Sequence, residues 1–421
     1  MLRPHLLLAS LAAGPAWARS NLTVQVPAVD TLLLPRPFND SFDQPFVDTT
    51  FGNRTSATSA TISAARNASF IAYDDEFLSI IGEDPKVRLL ATSSSPNISF
   101  AFEAGVWVPE LNQVWFTAYL DPTPGYLSIL DLNTSTVFRP RIEPAGILPN
   151  PNGGYYFNGK VYMTTFGDTT TTPAIVAIDP RTYHAEEVVN SYFGLPLSGP
   201  DDVTVAVSQS NDTKHECIFF TDFFFNDEGL DADTFKGPSE LPYFVWRYTT
   251  HNENLRPVIG PLEIPVPNGL AVDAANSLLY VTDGPDTSVF QRQVNHTTPS
   301  FAGIYQYDLA GVDGCTPLNK RLIAFARQGF ANGIKVDDKG RVWTAEYEGV
   351  VVRDGMTGKV LGLFNAVDII LNNTENPVDV RDVAPFANFA LAGNELVILA
   401  FNRIFGVKLA ERVVDPKRFV L

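Results

Sequence analysis

The sequence is poor in cysteine and in basic residues, and both shortages limit what the protein can be. Only Cys217 and Cys315 occur in 421 residues, so the fold cannot be a disulfide scaffold. The pair either forms one bridge in an oxidising compartment or is buried as small apolar side chains, and the sequence leaves both open. Lys and Arg number 30 against 47 Asp and Glu, which gives a net charge of −17. A nucleic-acid partner is not expected, because binding phosphate requires a concentrated basic surface.

The signatures of several common catalytic sites are also missing. The sequence has no G-x-S-x-G turn for a serine nucleophile, no phosphate-cradling glycine loop and no C-x-x-C pair. His215 precedes Glu216, but no second histidine stands four residues after the first, so a zinc-protease helix is absent. These absences turn attention to chemistry based on carboxylates and amides.

Long apolar runs are lacking after the first 18 residues. Residues 1–18 predict a secretory signal peptide, with Arg3, an apolar run from Leu6 to Ala13 and a small-x-small cleavage site at Ala16-Trp17-Ala18. A membrane anchor is the alternative, but a span needs roughly 20 apolar residues, and Gly14-Pro15 interrupts the run. We therefore expect a secreted, extracellular protein without a membrane partner.

Residues 19–68 are rich in Ser, Thr, Asn and Pro and lack a sustained period, which predicts an extended or partly ordered glycosylated leader before a folded domain over 69–421. Sequons for N-glycosylation agree with export. They lie at Asn21, Asn39, Asn53, Asn67, Asn97, Asn133, Asn211, Asn295 and Asn372.

Beyond Phe70 the chain consists of short runs of Val, Ile, Phe, Tyr and Trp between turn residues, with one helical turn expected over Asp74–Ile81. One phrase returns six times: a polar residue, a short apolar strand, a turn, and a strand with an aromatic centre. Its copies begin at Glu103, Asn152, Asp201, Asn268, Asn332 and Asn388. This repetition predicts an all-β, six-bladed β-propeller with four-stranded antiparallel blades, since a β-sandwich or a two-domain all-β protein would not require it.

In a propeller, equivalent positions of the blades fall on one ring around the channel mouth. Every first residue of the phrase offers a side-chain oxygen, and Ca²⁺ takes six to eight oxygen ligands. A single Asn-Gly pair is commonly a tight turn. Turn chemistry does not explain Glu103 and Asp201, which have no neighbouring Gly and whose two carboxylates match a divalent charge. The ring is therefore predicted to bind calcium or another divalent cation.

At these positions the chain resembles the gluconolactonase-type calcium propellers, and especially the secreted fungal lactonohydrolases that open aldonate or pantoyl lactones. The likeness runs from about Tyr73 to Leu409. The segments that carry it are Tyr73-Asp74-Asp75-Glu76-Phe77, Ile81-Gly82-Glu83-Asp84-Pro85, Glu103 ahead of Val106-Trp107, Asn150-Pro151-Asn152-Gly153-Gly154, Asn190-Ser191-Tyr192-Phe193-Gly194, Pro267-Asn268-Gly269 and Asp338-Lys339-Gly340-Arg341-Val342. The metal ligands implied by the resemblance are Glu103, Asp201, Asn268 and Asn332.

Two of these positions depart from the family pattern, because Asp201 stands where the family usually has Asn and Asn332 where it usually has Asp. The resemblance implies a catalytic role for the position of Asn332, where the aspartate of the family is the favoured candidate for the general base. An amide cannot accept a proton, so Asp201 is the expected replacement for the general base. Asp202 and Glu346 are further candidates, although a turn residue and a solvated strand end are their ordinary interpretations. The remaining ring or substrate positions are Asn152 and Asn388, and Asp222 and Asp283 are expected to cap loops near the mouth.

The expected function is that of a secreted, calcium-dependent hydrolase that opens a lactone or similar cyclic ester, with a small-molecule substrate and a monomeric or weakly oligomeric state. The alternative is a non-hydrolytic metal-binding propeller, either a binding protein or a tailoring enzyme of a fungal secondary pathway.

Overall fold

The computed structural model describes residues 22–41, 44–94, 99–118, 125–208, 214–223, 240–284, 302–311, 313–371 and 386–421. In chain order its strands are β1 Thr23–Gln25, β2 Phe38–Asn39, β3 Thr50–Phe51, β4 Phe70–Ala72, β5 Val87–Thr92, β6 Glu103–Val108, β7 Gln113–Thr117, β8 Leu127–Asp131, β9 Thr136–Phe138, β10 Pro151–Phe157, β11 Lys160–Thr165, β12 Ala174–Ile178, β13 Ala185–Val189, β14 Ser191–Tyr192, β15 Leu195–Pro196, β16 Pro200–Ser208, β17 His215–Asp222, β18 Phe244–Thr249, β19 Asn254–Ile259, β20 Pro267–Val272, β21 Leu278–Asp283, β22 Gly303–Ala310, β23 Thr316–Phe325, β24 Ile334–Val336, β25 Val342–Glu346, β26 Gly349–Arg353, β27 Val360–Asn365, β28 Asn388–Leu391, β29 Glu395–Ala400 and β30 Arg403–Lys408. The helices are α1 Ala57–Ala65, α2 Asp75–Ile81 and α3 Ala366–Leu371, with 3₁₀ turns at Ala28–Thr31, Phe46–Asp48 and Pro416–Phe419.

Six large sheets form the blades of a propeller, which confirms the predicted fold. Blades 1 to 4 are the antiparallel sheets β6–β9, β10–β13, β16–β19 and β20–β23. Blade 6 is β28–β30 completed by β5, so a strand from before blade 1 closes the ring. The innermost strands of neighbouring blades contact one another around the axis, including β28 against β6.

Blade 5 departs from the predicted four strands. Its strands β24–β27 are extended by β4, which pairs antiparallel with β27, and by β1, which pairs parallel with β4. The prediction of four-stranded blades is therefore wrong for this sheet. The added strands cover the edge of β27, which would otherwise present unpaired backbone groups.

Apolar side chains pack between the blades, and the middle strands are buried on both faces. All five residues of β12 are buried. Such strands lose the alternation of buried and exposed residues because each sheet lies between two neighbours. The predicted helical turn is confirmed as α2, where the Asp74 carboxylate accepts the N–H of Glu76 at 2.9 Å and Gly82 ends the helix at φ 79°.

The leader is partly built into the domain. Strand β1 joins blade 5, and helix α1 packs against the same region. Val26, Val47 and Ala65 are buried with Ile71 and Leu363 in one apolar cluster. Residues 22–68 are thus attached to the propeller by backbone pairing and by apolar contact.

Cys217 of β17 and Cys315, just before β23, form a disulfide bridge between blades 3 and 4. Of the two alternatives left by the sequence, the structure has the bridge.

Four sequons fall within the described residues, and the asparagines Asn39, Asn53, Asn67 and Asn133 are exposed. The sequons at Asn21, Asn97, Asn211, Asn295 and Asn372, and the signal peptide predicted over 1–18, lie outside the described residues. In the part of the chain that is described, no helix has the length and hydropathy of a membrane span.

The C-terminal 3₁₀ turn covers the end of the channel where the innermost strands finish. Arg418 donates through Nη1 to the carbonyl of Val336 at 2.8 Å and through Nη2 to that of Val272 at 3.1 Å. The Phe419 ring packs edge-on against Trp107 and Tyr155. These contacts join blades 1, 2, 4 and 5 at this end of the axis.

Candidate functional site

The six predicted ring residues lie at the starts of the innermost strands. In blades 1 to 4 the ladder between the two inner strands is interrupted at this point. The irregularities lie between Glu103 and Val106, Pro151 and Gly154, Pro200 and Val203, and Pro267 and Leu270. A β-bulge redirects a side chain out of the regular pleat, so these interruptions free the ring side chains from ordinary sheet packing.

The glycines after three of the asparagines allow the blades to approach closely. A Cβ on Gly153 would lie 2.3 Å from the Asp201 carbonyl oxygen, and a Cβ on Gly269 would lie 2.3 Å from that of Asn332. A Cβ on Gly333 would meet the Asn388 amide oxygen at 2.4 Å. The Asn-Gly pairs are therefore places of close contact between neighbouring blades, not tight turns.

Hydrogen bonds link five of the six side chains in two groups. The Glu103 carboxylate accepts from Asn332 Nδ2 through Oε1 and from Asn388 Nδ2 through Oε2, both at 2.9 Å. Asp201 Oδ1 accepts from Asn152 Nδ2 at 2.7 Å. Residues from blades 5, 6 and 1, and from blades 2 and 3, are thereby brought together.

Asn268 is the sixth ring residue, and its side chain has an unsatisfied acceptor. The side chain is buried, with a residue exposure of 3%, and Oδ1 has no hydrogen-bond partner among the described residues. A buried amide oxygen without a partner costs free energy. A cation in the ring would satisfy it, since amide oxygens are ordinary ligands of hard cations.

Without a cation, burial and neighbouring negative charge disfavour the ionised form of the two ring carboxylates. Glu103 and Asp201 are each 6% exposed. Burial raises the pKa of Glu103 to about 7, with Asp202 adding to the rise and the amides of Asn388 and Asn332 opposing it. Burial, then the charges of Glu103 and Asp202, raise the pKa of Asp201 well above its ordinary range. Positive charge in the ring would stabilise both carboxylates.

The donor set therefore fits a hard divalent cation through mixed carboxylate and amide oxygens. Among the described residues no group of three His, Cys, Asp or Glu side chains is arranged to hold a metal ion. A cation at the ring would depend on Asn268 and Asn332 as well as on Glu103 and Asp201.

Two further candidates for the general base, Asp202 and Glu346, bind other groups of the protein. Asp202 is buried, and its carboxylate accepts the N–H groups of Val203 at 2.9 Å and Leu270 at 3.0 Å, so it joins blades 3 and 4. Glu346 is 1% exposed and forms an ion pair with Arg353. The interpretation of Glu346 as a solvated strand end is therefore wrong, and its ion pair with Arg353 occupies the carboxylate.

Asp222 and Asp283 cap loops, as their positions after aromatic strands suggested. Asp222 accepts the N–H groups of Ser198 at 3.2 Å and Gly199 at 2.7 Å. Asp283 Oδ1 accepts the N–H of Val266 at 3.1 Å. Both side chains order the backbone that leads into the innermost strand of their own blade.

Sequence reasoning missed Lys335, a basic residue in the channel. Its Nζ donates to the Ala104 carbonyl oxygen at 3.3 Å, which links blade 5 to blade 1. The signal was available, because the equivalent third position after each other ring residue carries no charge. Those positions are Val106, Tyr155, Thr204, Ala271 and Leu391.

Comparisons with known proteins agree with the overall fold. No family model matches the chain. Over 311 residues it is 25% identical to the lactonohydrolase oryL of Aspergillus oryzae. The matched region covers 69% of this chain and 66% of oryL. Over 367 residues it is 24% identical to the lactonohydrolase oryH of the same organism. That matched region covers 72% of this chain and 76% of oryH.

The solved structure of a gluconolactonase from Xanthomonas campestris shares the fold with a TM-score of 0.58 at 18% identity, over 80% of this chain and 94% of that one. The structural match supports the six-bladed architecture, and the two curated relatives connect it with lactonohydrolase sequences. The chain is therefore similar in sequence to two fungal lactonohydrolases and in fold to a solved gluconolactonase.

Proposed function

We propose that the protein is a hydrolase that opens a lactone or similar cyclic ester at the channel ring, with a divalent cation, calcium, bound there. The observation that carries the proposal is the buried Oδ1 of Asn268, which has no hydrogen-bond partner among the described residues and stands at a position equivalent to those of the buried carboxylates Glu103 and Asp201 on the innermost strands. The similarity to two lactonohydrolases supplies the reaction class.

Glu103, Asp201, Asn268 and Asn332 would hold the cation, which as a Lewis acid polarises a carbonyl and favours negative charge on its oxygen. The amides of Asn332 and Asn388 fix the orientation of Glu103 by donating to its two oxygens. Asn152 does the same for Asp201.

Asp201 is the group best suited to accept the proton of the attacking water. Both oxygens of the other ring carboxylate, Glu103, accept amide N–H groups, whereas Asp201 accepts from Asn152 through Oδ1. The Asn332 amide cannot accept a proton, Asp202 is bonded to two backbone N–H groups, and Glu346 is paired with Arg353.

The test is hydrolysis of a panel of aldonolactones and aryl esters by metal-stripped protein, with and without added Ca²⁺. We expect calcium-dependent ring opening, and a loss of about 10²–10⁴-fold in kcat for Asp201→Asn. The matched control is Asp308→Asn, which removes a carboxylate that pairs with Arg321 on blade 4. Measured calcium binding without turnover of any lactone or ester would contradict the proposal and favour a metal-binding propeller of another function.

The double variant Asp201→Asn with Asn332→Asp distinguishes a ring that uses Asp201 as the base from one suited to a different reaction. It restores the family arrangement while the number of carboxylates stays at two. A large gain in lactone hydrolysis would indicate that the natural ring is suited to a different reaction. A loss would support Asp201 as the base in its present position.

We also propose that the protein is secreted and glycosylated. The Cys217–Cys315 bridge is typical of an oxidising compartment, and the four described sequon asparagines are exposed. Expression of the full chain in a eukaryotic secretory host tests this. We expect protein in the medium that begins at residue 19 and loses mass on enzymatic removal of N-glycans. Retention inside the cell with an intact N-terminus would contradict it.

A further inference from the structure

Lys335 occupies the channel beyond the ring. It lies three residues after Asn332, a distance of about 10 Å at the ordinary rise of an extended strand. It lines a cavity of about 50 Å³ together with Tyr155 and Arg418. Its Nζ reaches across to the Ala104 carbonyl at 3.3 Å, next to the ring residue Glu103.

The positive charge of Lys335 lies close to a ring carboxylate, because its Nζ donates to the carbonyl of the residue that follows Glu103. Among the described residues that line the cavity, the other cation is Arg418, which is bonded at the far end of the channel to Val336 and Asp338.

The channel therefore holds opposite charges close together. The ring carries the carboxylates of Glu103 and Asp201, and the Lys335 ammonium donates to the carbonyl of Ala104, the residue after Glu103. An ammonium group so close to the ring stabilises the carboxylates when no cation is bound, and it repels a cation that enters.

We propose that Lys335 is a built-in counter-cation of the channel: its charge, held next to Glu103, weakens the binding of a divalent ion at the ring, so that it sets the metal affinity of the site. The proposal rests on the proposed function, in which the ring holds that ion. Lys335 is a positioning residue, because it acts on the ring through its charge and contacts no ring ligand by a described hydrogen bond.

The test is calorimetric titration of metal-stripped protein with Ca²⁺, with thermal unfolding of the same samples. Lys335→Met and Lys335→Gln remove the charge, and we expect each to bind Ca²⁺ about tenfold more tightly while the metal-free protein melts at a lower temperature. Lys335→Arg keeps the charge and should bind within about threefold of the wild type.

Lys339→Met is the matched control, because Lys339 is an exposed lysine of the loop after β24 that pairs with Glu411 outside the channel. It should leave the calcium affinity unchanged. A merely structural role of Lys335 would weaken calcium binding when the lysine is lost, so tighter binding is the result specific to the proposal.

Unchanged or weaker calcium binding by folded Lys335→Met and Lys335→Gln would overturn the inference, as would absence of binding by all the proteins. Lactone hydrolysis is measured separately. Tighter binding by the neutral variants without any turnover would overturn the proposed hydrolase activity and leave the counter-cation established.

Discussion

At the scale of single residues, the ring side chains favour a bound cation and lower the stability of the metal-free protein. Asn268 is the clearest case. Its buried Oδ1 has no partner among the described residues. Replacement by leucine, which has a similar shape, removes this unsatisfied acceptor. We expect Asn268→Leu to leave the metal-free protein equally stable or more stable by about 1 kcal/mol, and to reduce calcium affinity at least ~10-fold.

Asn388→Leu is the comparison for that prediction. Asn388 donates to Glu103 and accepts the N–H of Phe389, so its loss leaves two buried groups without partners. We expect a destabilisation of about 1–3 kcal/mol in the absence of metal. Urea unfolding of metal-stripped samples measures both effects, and equal destabilisation by the two variants would show that Asn268 has an ordinary structural role.

The Glu103 carboxyl gives the second prediction at this scale. Burial raises its pKa from 4.5 to about 7 in the folded protein. An acid whose pKa is higher in the folded state favours folding while it is protonated, so its contribution is fully present below about pH 4.5 and is lost as the pH rises towards about 7. Metal-stripped protein should therefore melt at lower temperatures as the pH increases through this window.

Added Ca²⁺ should restore much of the lost stability, because it neutralises the ionised ring. Glu103→Gln should show a shallower decline, although not a flat one, since burial also raises the pKa of Asp222 to about 6. Melting curves recorded at a series of pH values, with and without Ca²⁺, measure this. A decline of the same slope in wild type and Glu103→Gln would rule out Glu103 as a source of the pH dependence.

At the scale of elements, the 3₁₀ turn Pro416–Phe419 holds the innermost strands together at the end away from the ring. The Phe419 ring contacts Trp107, Tyr155 and Tyr156 from blades 1 and 2. We expect Phe419→Ala to lower the free energy of unfolding by about 3 kcal/mol, as for other large apolar truncations. Val420→Ala, at a residue 64% exposed, should change it by less than about 0.5 kcal/mol.

Chemical denaturation measures that difference, and equal values for the two variants would mean that the turn adds nothing to the joining of the blades. A calcium titration of Phe419→Ala adds a second comparison. The proposed calcium ligands lie at the end of the channel away from Phe419, so the calcium affinity of this variant should remain near that of the wild type.

The elements that the sequence revealed are those that the repeat marks. Each copy of the phrase carries one innermost strand and one ring residue, so six blades and six oxygen-bearing positions could be predicted from spacing alone. Strands β1 and β4 have no equivalent in the other blades, and their pairing with β27 carries no periodic signal. For that reason the six-stranded blade 5 was not predicted.

Pairing between side chains was also beyond the sequence. Glu346 follows an aromatic strand just as Asp222 does, yet one binds Arg353 and the other caps a loop. The difference depends on which side chains the neighbouring strand β26 presents. Lys335 could have been found by comparing equivalent positions of the blades, because a single charge stands there among uncharged residues.

At the scale of the whole molecule, the propeller and its leader form one continuous packed structure. Blade 5 is bordered by β4 and β1, and Val26 and Ala65 of the leader are buried with Leu363 of β27. Arg327 pairs with Asp40 of the leader at 3.0 Å. The boundary predicted at residue 69 therefore divides a single apolar cluster.

A chain that begins at residue 69 tests the consequence. It lacks β1 and α1 and exposes the apolar face of β4 and β27, so we expect a loss of about 3 kcal/mol or more in the free energy of unfolding and a tendency to aggregate. A chain that begins at residue 22 keeps both elements and should unfold like the mature protein. Urea unfolding with light scattering compares the two chains, and coincident transitions without aggregation would mean that the propeller is stable without its leader.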